Sequence, residues 1–294
     1  MRFRGRALRV AAILFLPGPL MVGAPQASAR ETVQQRIDRL LPGADLLIPE
    51  GEGPFPVAIQ LHGCGGKGEF QLGWAKVARD AGWAVIVVDS YAFRNISRLQ
   101  AYATVCTGLH LWGRERAGDL FAMMQWARGQ SWADPNRIAV AGWSHGGWTA
   151  LDAMSLKPGA EAASATRLNG LAEEPLAGLS GAFLVYPYVG PGSIARTRGV
   201  RIDVPMKALV GTSDVIVGSQ GLARTLEKMP TPKTPVDVTI LQGATHAFDE
   251  KDAKDLRVRY DPELTAQAHG MYRDWLKALA ESPSKAGAQP SPAR

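Results

Sequence analysis

The chain has 294 residues and a formal net charge of +6, and its first 29 residues contain four arginines and no acidic residue. Without that segment the charge falls to +2, so the high isoelectric point says little about partners. No block of lysine or arginine remains that would indicate a nucleic-acid surface. The other 265 residues are enough for one large α/β domain with its own core.

The N-terminal segment has the pattern of a secretory signal peptide. Its arginines precede a short apolar run at residues 10–16, and Ala27-Ser28-Ala29 has the A-x-A form of a cleavage site. The run is shorter than the roughly 20 residues that a bilayer span needs. We therefore expect cleavage after Ala29, a mature chain that begins at Arg30, and a periplasmic or secreted protein without stable membrane insertion. An uncleaved amphipathic anchor is the alternative.

Short apolar runs alternate with longer segments of helical spacing along residues 30–281, which favours a single α/β domain. The predicted strands are residues 44–48, 57–61, 84–88, 138–141, 183–186, 206–210 and 238–241. The predicted helices are residues 70–81, 116–128, 145–155, 220–228 and 264–280. This alternation predicts a mostly parallel central sheet with helices on both faces. Residues 282–294, rich in proline and serine, are predicted to be a disordered tail.

A serine motif follows the predicted strand at residues 138–141. The segment Gly142-Trp143-Ser144-His145-Gly146-Gly147 predicts a strand that turns abruptly into a helix with Ser144 at the apex, which is a nucleophile elbow. Glycines two residues before and after the serine allow strand and helix to approach closely. The alternative is a glycine-rich connection with an incidental serine.

An aspartate and a histidine follow Ser144 on later loops, each directly after a predicted strand. In such a set the histidine takes the serine proton, and the aspartate orients the imidazole. The sequence therefore predicts a triad of Ser144, Asp214 and His246, in the chain order of α/β-hydrolases. Asp203 and Asp249 remain alternatives for the acid. The other histidines are less well placed: His62, His110, His145 and His269.

A second glycine-rich loop, Leu61-His62-Gly63-Cys64-Gly65-Gly66, follows the predicted strand at residues 57–61. Fixed backbone N–H groups at this place can stabilise the negative charge that develops on a carbonyl oxygen. The predicted donors are the amides of Cys64 and His145. A phosphate-binding loop is the alternative, but the spacing does not match G-x-x-x-x-G-K-[ST]. No cluster has metal-ligand spacing, so no metal is expected.

Together these motifs, with Thr245-His246-Ala247-Phe248, resemble the dienelactone hydrolase family of α/β-hydrolases over roughly residues 44–280. The resemblance implies no cofactor and hydrolysis of a small-molecule ester or lactone through an acyl-enzyme. Dienelactone hydrolase itself carries a cysteine at the elbow, whereas this chain carries Ser144. The pattern is therefore closer to exported serine esterases of the family, and lactone specificity does not transfer.

Two other functions remain open. A serine peptidase of the same fold is one, although such peptidases commonly carry an added domain for which this chain has no length. A catalytically inactive scaffold that binds a ligand or partner is the other, although it would have no need for a complete set of nucleophile, acid, base and oxyanion donors. The sequence does not indicate an oligomeric state.

The chain has two cysteines, Cys64 and Cys106, and its predicted destination is oxidising. A disulfide between them is therefore expected, and it would restrain the loop that supplies the Cys64 amide. Two buried free thiols are the alternative. The long segment at residues 89–114 also contains Tyr91 and Arg94, which we predict to border the acyl pocket because long loops often form binding surfaces.

Overall fold

A computed structural model describes residues 30–282; the predicted signal peptide and, apart from Ser282, the predicted tail lie outside this part of the chain. The strands are β1 (Glu31–Thr32), β2 (Asp45–Leu47), β3 (Phe55–Leu61), β4 (Ala84–Val88), β5 (Ala133–Trp143), β6 (Leu168–Asn169), β7 (Leu179–Val185), β8 (Met206–Gly211) and β9 (Val236–Leu241). The helices are α1 (Val33–Leu40), α2 (Glu69–Asp80), α3 (Arg98–Thr104), α4 (Gly113–Arg128), α5 (His145–Ser155), α6 (Ala160–Thr166), α7 (Ile194–Arg198), α8 (Gln220–Glu227) and α9 (Pro262–Glu281).

The main sheet has the strand order β2-β4-β3-β5-β7-β8-β9, and all neighbouring pairs are parallel except β2 with β4. The predicted, mostly parallel sheet is thus confirmed. From β3 the chain continues to β4 on one side, whereas β5 and the later strands extend the sheet on the other. In open sheets a crevice forms at the carboxyl ends of strands at such a switch point. The glycine loop after β3 and the serine motif after β5 both lie there.

Each face of the sheet is covered by helices, and alternate residues of a strand face opposite sides. Ile59 of β3 packs in one core with Leu120 of α4, together with parts of α1, α5 and α8. The neighbouring Ala58 belongs to the other core, which contains Trp74 of α2 and Tyr272 of α9. Because both faces are covered, the strands are almost uniformly apolar rather than alternating.

Several elements of the structure were not predicted, although the sequence of α1 has the apolar spacing of a helix. Val33, Ile37 and Leu40 are spaced at i, i+4 and i+7 and are all buried. The helix begins with a capping box in which Thr32 and Gln35 each accept from the other's backbone amide. The other unpredicted helices, α3, α6 and α7, are only five to seven residues long.

The fifth strand is longer than predicted, because it extends back to Ala133. Phe55 pairs with Ala133 and Val57 with Ile138, so residues 134–137 bulge out of the pairing with β3. Within this bulge Asp134 accepts from the amide of Asn136 at 2.9 Å, which is the turn chemistry typical of Asp. This turn at residues 134–137 therefore lies within the bounds of β5.

Candidate active site

Ser144 lies between β5 and α5 with φ 50° and ψ −109°, a backbone conformation that L-residues rarely adopt. This strained backbone conformation costs about 1–3 kcal/mol, which interactions with the surrounding structure must offset. The Ser144 amide donates to the Val185 carbonyl at 3.0 Å, and its own carbonyl accepts from the amides of Trp148 and Tyr188, both at 3.1 Å. These bonds hold the residue at the apex of a nucleophile elbow.

Two glycines of the elbow are required by close backbone packing. A Cβ on Gly142 would lie 2.5 Å from the carbonyl carbon of Gly146, and one on Gly147 would lie 2.6 Å from Cβ of Pro187. Side chains at these positions would separate the strand from the helix. The glycines therefore bring the start of α5 against the end of β5, where Ser144 turns.

Three side chains form one hydrogen-bonded row. Nε2 of His246 lies 2.9 Å from Oγ of Ser144, and Nδ1 lies 2.7 Å from Oδ2 of Asp214. The other oxygen of Asp214 accepts from the amides of Ile216 at 2.9 Å and Val217 at 3.1 Å, which fixes the carboxylate plane. Given the carboxylate partner, Nδ1 carries the proton and Nε2 is free to accept one from the serine.

The two alternative acids lie outside this row. Asp203 accepts from the amide of Thr234 at 3.0 Å. Asp249 is buried and accepts from three side chains of the core: Trp74 Nε1 at 2.8 Å, Trp143 Nε1 at 3.1 Å and Tyr186 OH at 2.6 Å. The Tyr186 ring centroid lies 4.6 Å from that of His246. Asp249 thus links the residue before Ser144 to the aromatic ring beside His246.

The glycine loop after β3 lies against Ser144. A Cβ on Gly63 would be 3.6 Å from Cβ of Ser144, and Cys64 and His145 both line the cavity that contains Ser144. Within residues 30–282 neither the Cys64 amide nor the His145 amide donates to a protein group. The predicted disulfide is present, with the Cα atoms of Cys64 and Cys106 5.2 Å apart, and it joins this loop to the segment after α3.

Arg116 of α4, which is not among the predicted site residues, connects the glycine loop after β3 to the start of α5. Its Nη1 donates to the His62 carbonyl at 2.7 Å and to Nδ1 of His145 at 3.2 Å, and its Nε donates to Ser90 Oγ at 2.8 Å. Burial lowers the pKa of Arg116 to about 10, so it is still a cation at neutral pH. The sequence does contain a signal that Arg116 is buried. Arg116, Leu120 and Met123 are spaced at i, i+4 and i+7 and so share the apolar face of α4.

The two histidine rings at this place are neutral. Burial, followed by the Arg116 cation, lowers the pKa of His145 to about 3 and holds the pKa of His62 well below its usual range. Nε2 of His145 donates to the Leu111 carbonyl at 2.8 Å. His62 donates from Nδ1 to the Gly63 carbonyl at 2.7 Å and accepts from the Ser90 amide at 3.1 Å. Both rings therefore form hydrogen bonds that hold the backbone in place, and they do not exchange protons at neutral pH.

The expectation that Tyr91 and Arg94 border the acyl pocket is wrong, because neither lines the cavity. The Tyr91 hydroxyl donates to the Cys64 carbonyl at 2.9 Å, beneath the glycine loop. The Arg94 guanidinium forms two bonds to the buried Asp119, at 2.8 and 2.9 Å, and Arg36 donates to the same carboxylate at 2.6 Å. A cation held in this way is not available to substrate.

Ser144 opens into a cavity of about 990 Å³. Its lining includes three neighbouring aromatic side chains, Trp112, Trp148 and Tyr188, and four charged ones, Glu250, Lys254, Asp255 and Arg257. Residues 30–282 contain no group of three or more His, Cys, Asp or Glu side chains that could hold a metal ion. None of the helices in that range combines the length and the apolar character needed to cross a membrane.

The strand order, with a serine elbow after β5 at the switch point, is the architecture of the α/β-hydrolases. The chain belongs to the dienelactone hydrolase family, whose sequence model matches residues 43–280. As a member of that family it is a carboxylic ester hydrolase. No curated protein sequence matches the chain.

Solved structures with the same fold come from the family and from esterases. A putative dienelactone hydrolase from Klebsiella pneumoniae is 17% identical, with a TM-score of 0.60, over 81% of this chain and 92% of that one. Dienelactone hydrolase from Anabaena variabilis is 18% identical, with a TM-score of 0.53, over 80% and 90%. Esterase 2 of Thermogutta terrifontis, phosphonylated by cyclosarin, is 14% identical, with a TM-score of 0.58, over 81% and 89%.

Proposed function

We propose that the protein hydrolyses a carboxylic ester through an acyl-enzyme formed on Ser144. The observation that carries this proposal is the row in which His246 bridges Ser144 at 2.9 Å and Asp214 at 2.7 Å. These are distances at which proton transfer between serine and imidazole is possible. Burial of all three side chains keeps water from competing for their hydrogen bonds.

In the first half-reaction Ser144 Oγ forms a bond to the carbonyl carbon while its proton moves to Nε2 of His246. Asp214 stabilises the imidazolium that results. The tetrahedral intermediate then breaks its bond to the alcohol oxygen, which leaves with the proton from His246. In the second half-reaction water, activated by His246, attacks the acyl-enzyme and releases the carboxylic acid and free Ser144.

The oxyanion of both tetrahedral intermediates is assigned to the amides of Cys64 and His145. Two observations support this assignment: both residues line the cavity beside Ser144, and neither amide is used by another protein group within residues 30–282. Arg116 supports the same site indirectly, because it bonds the backbone of one loop and the side chain of the other. Donors that are already in position need no reorganisation as the charge develops.

We propose further that the protein acts outside the cytoplasm. The disulfide between Cys64 and Cys106 supports this, because such bonds persist in oxidising compartments. The N-terminal sequence pattern points the same way. Mass spectrometry of the protein from a native host is expected to find Arg30 as the first residue and no free thiol. A chain that begins at Met1 in the cytosol with two thiols would contradict export.

The test of the catalytic proposal is a short-chain nitrophenyl ester assay with wild type, Ser144→Ala and Ser219→Ala. We expect Ser144→Ala to lower kcat/KM by about 10⁴-fold or more. Ser219 is the matched control, because its half-buried side chain makes no cap hydrogen bond and does not line the cavity. Equal activity of Ser144→Ala and wild type would remove the acyl-enzyme on Ser144. An inactive wild type would favour the binding scaffold instead.

A further inference from the structure

Three neighbouring aromatic side chains that line the cavity form what we call the aromatic wall: Trp112, Trp148 and Tyr188. The ring centroids of Trp112 and Trp148 are 6.3 Å apart, and those of Trp148 and Tyr188 are 5.0 Å apart. Successive rings are inclined by 44° and 51°, so the wall is curved rather than a flat stack. None of these residues takes part in the chemistry proposed for Ser144.

The aromatic wall is attached to the nucleophile. The amides of Trp148 and Tyr188 both donate to the carbonyl of Ser144 at 3.1 Å. The Trp148 ring centroid lies 5.0 Å from that of His145, the residue that follows the nucleophile. The position of the wall relative to Ser144 is therefore set by the elbow itself.

Each ring of the aromatic wall packs against a glycine. A Cβ on Gly113 would lie 2.5 Å from Cδ1 of Trp148, and one on Gly192 would lie 3.1 Å from Cζ3 of Trp112. A Cβ on Gly190 would collide with the Tyr188 ring. The rings are thus held closely by backbone, and a ligand that binds them has little side-chain motion to restrict.

The charged lining of the cavity lies in a different segment, at residues 250–257, which follows His246. Glu250 there pairs with Arg98 at 3.2 Å, and Asp255 pairs with Arg257 at 2.6 Å. Arg114 lies 4.1 Å from the Trp112 ring centroid but is not part of the cavity lining. The aromatic wall and residues 250–257 therefore offer different chemistry to the two arms of an ester.

Which half lies where follows from the proton that the leaving group needs. The alcohol oxygen takes its proton from Nε2 of His246, so the alcohol arm lies on the His246 side, toward the charged segment. The acyl arm is assigned to the aromatic wall, which adjoins His145 because the Trp148 and His145 ring centroids are 5.0 Å apart. We infer that the natural substrate is an ester of an acid with a planar aromatic ring, and that Trp112, Trp148 and Tyr188 bind this ring.

This inference rests on the proposed function, because the two arms are assigned from the roles of Ser144 and His246. Its physical basis is that aromatic rings attract one another in edge-to-face or offset geometry beyond the area that they bury. A saturated ring of similar size fills the same space but lacks the π-system. Planarity of the acyl ring is therefore the property that the wall would select.

The test compares methyl 3-phenylpropanoate with methyl 3-cyclohexylpropanoate, which share the alcohol, the linker and the ring size. We expect wild type to favour the phenyl ester by about fivefold to tenfold in kcat/KM. In Trp112→Leu, and independently in Tyr188→Leu, this ratio is expected to fall toward one. The matched control is Tyr102→Leu, which removes an aromatic ring that lines the same cavity from α3, beside Gly65. It is expected to keep the ratio.

Using the ratio of two substrates cancels general damage to the enzyme. A ratio near one in wild type, with hydrolysis that depends on Ser144, would overturn the inference and leave the proposed function intact. Retention of the preference in both wall variants would overturn it too. A larger preference for benzyl over cyclohexylmethyl acetate would contradict the assignment of the ring to the acyl arm. Absence of hydrolysis that depends on Ser144 would refute the proposed function itself.

Discussion

Asp214 and Asp249 are both buried carboxylates close to His246, with 4% and 3% of their surface exposed. Their partners differ. Asp214 binds Nδ1 of His246 and two backbone amides. Asp249 binds only neutral side chains of the core. Burial alone therefore does not distinguish the proposed catalytic acid; contact with His246, which changes charge in the proposed reaction, does.

The comparison separates two kinds of residue around Ser144. One kind contacts the reacting atoms and stands on a loop that follows a strand. The other holds these loops in place from behind, as Asp249 does through Trp143 and Tyr186, and as Arg116 does through the His62 carbonyl and the His145 ring. We expect the first kind to control the chemical step and the second to control its geometry.

The largest effect is expected for Asp214→Asn. An amide at this position can donate to His246 and stabilise the wrong tautomer, in which Nε2 carries the proton and cannot accept one from serine. We expect kcat to fall by about 10⁴-fold with little change in the unfolding midpoint. Steady-state kinetics and urea unfolding of the same preparation check both parts. A loss of less than tenfold would contradict the assignment of Asp214 as the acid.

Arg116→Met is expected to lower kcat/KM by about 100-fold, because the glycine loop after β3 and His145 lose the hydrogen-bond donor that they share. For comparison, removing one oxyanion-hole donor outright costs about 10²–10³-fold. The loss should fall mainly on kcat, because charge develops on the oxygen only in the transition state. Arg116→Lys, which keeps the charge but not the fork of donors, should recover only part of the rate. A variant with normal kcat and raised KM would instead place Arg116 in substrate binding.

A third buried carboxylate, Asp119, is expected to make the free energy of unfolding depend on pH. Burial opposes its ionisation, but Arg94 and Arg36 outweigh burial and lower its pKa from 3.8 to about 2. Because the folded-state pKa is depressed, its contribution is complete above pH 3.8 and is lost as the pH falls toward 2. The ionised Asp119 carboxylate contributes about 2 kcal/mol to the free energy of unfolding. The free energy of unfolding of wild type minus that of Asp119→Asn, from urea titrations at pH 5, 4 and 3, should shrink as the pH falls. A difference that is constant or grows would contradict the sign.

The smallest effect is expected for Asp249→Asn. Burial raises the pKa of the Asp249 carboxyl, and an amide of the same shape can accept from both indoles and donate to Tyr186. We expect kcat/KM to fall by no more than about tenfold, because the contact with Tyr186 must reverse its direction while no reacting atom is touched. Phenyl acetate kinetics check this, with Asp214→Asn measured in parallel. Equal losses in the two variants would abolish the distinction between them.

The central sheet, the serine elbow and the chain order of Ser144, Asp214 and His246 could be predicted, because each depends on a local sequence pattern. Ser144, Asp214 and His246 all follow apolar strands, and parallel strands bring such positions to one edge. Arg116 and Asp249 could not be assigned in the same way. The partners of Asp249 include Trp74, 175 residues away in the sequence, and Arg116 reaches 54 residues back to His62. Such pairings arise from packing between elements that are distant in the sequence, which local spacing does not encode.

The error at Arg94 has the same origin. An arginine in a long loop is equally compatible with a substrate contact and with a buried ion pair, and the carboxylate that decides between them is 25 residues away on α4. In contrast, the disulfide was predictable because only two cysteines exist to pair. Residues that form pairs across the fold are recognised from sequence when the choice of partner is small.

Ser144 is proposed to be the nucleophile, activated by His246. The most direct measurement treats the protein with a nitrophenyl alkylphosphonate until ester hydrolysis stops and then locates the label by peptide mass spectrometry. We expect one phosphonyl group per chain, on the peptide that contains Ser144, and much slower labelling in His246→Ala. A label on another residue when activity is lost, or full loss of activity with Ser144 unmodified, would contradict the account.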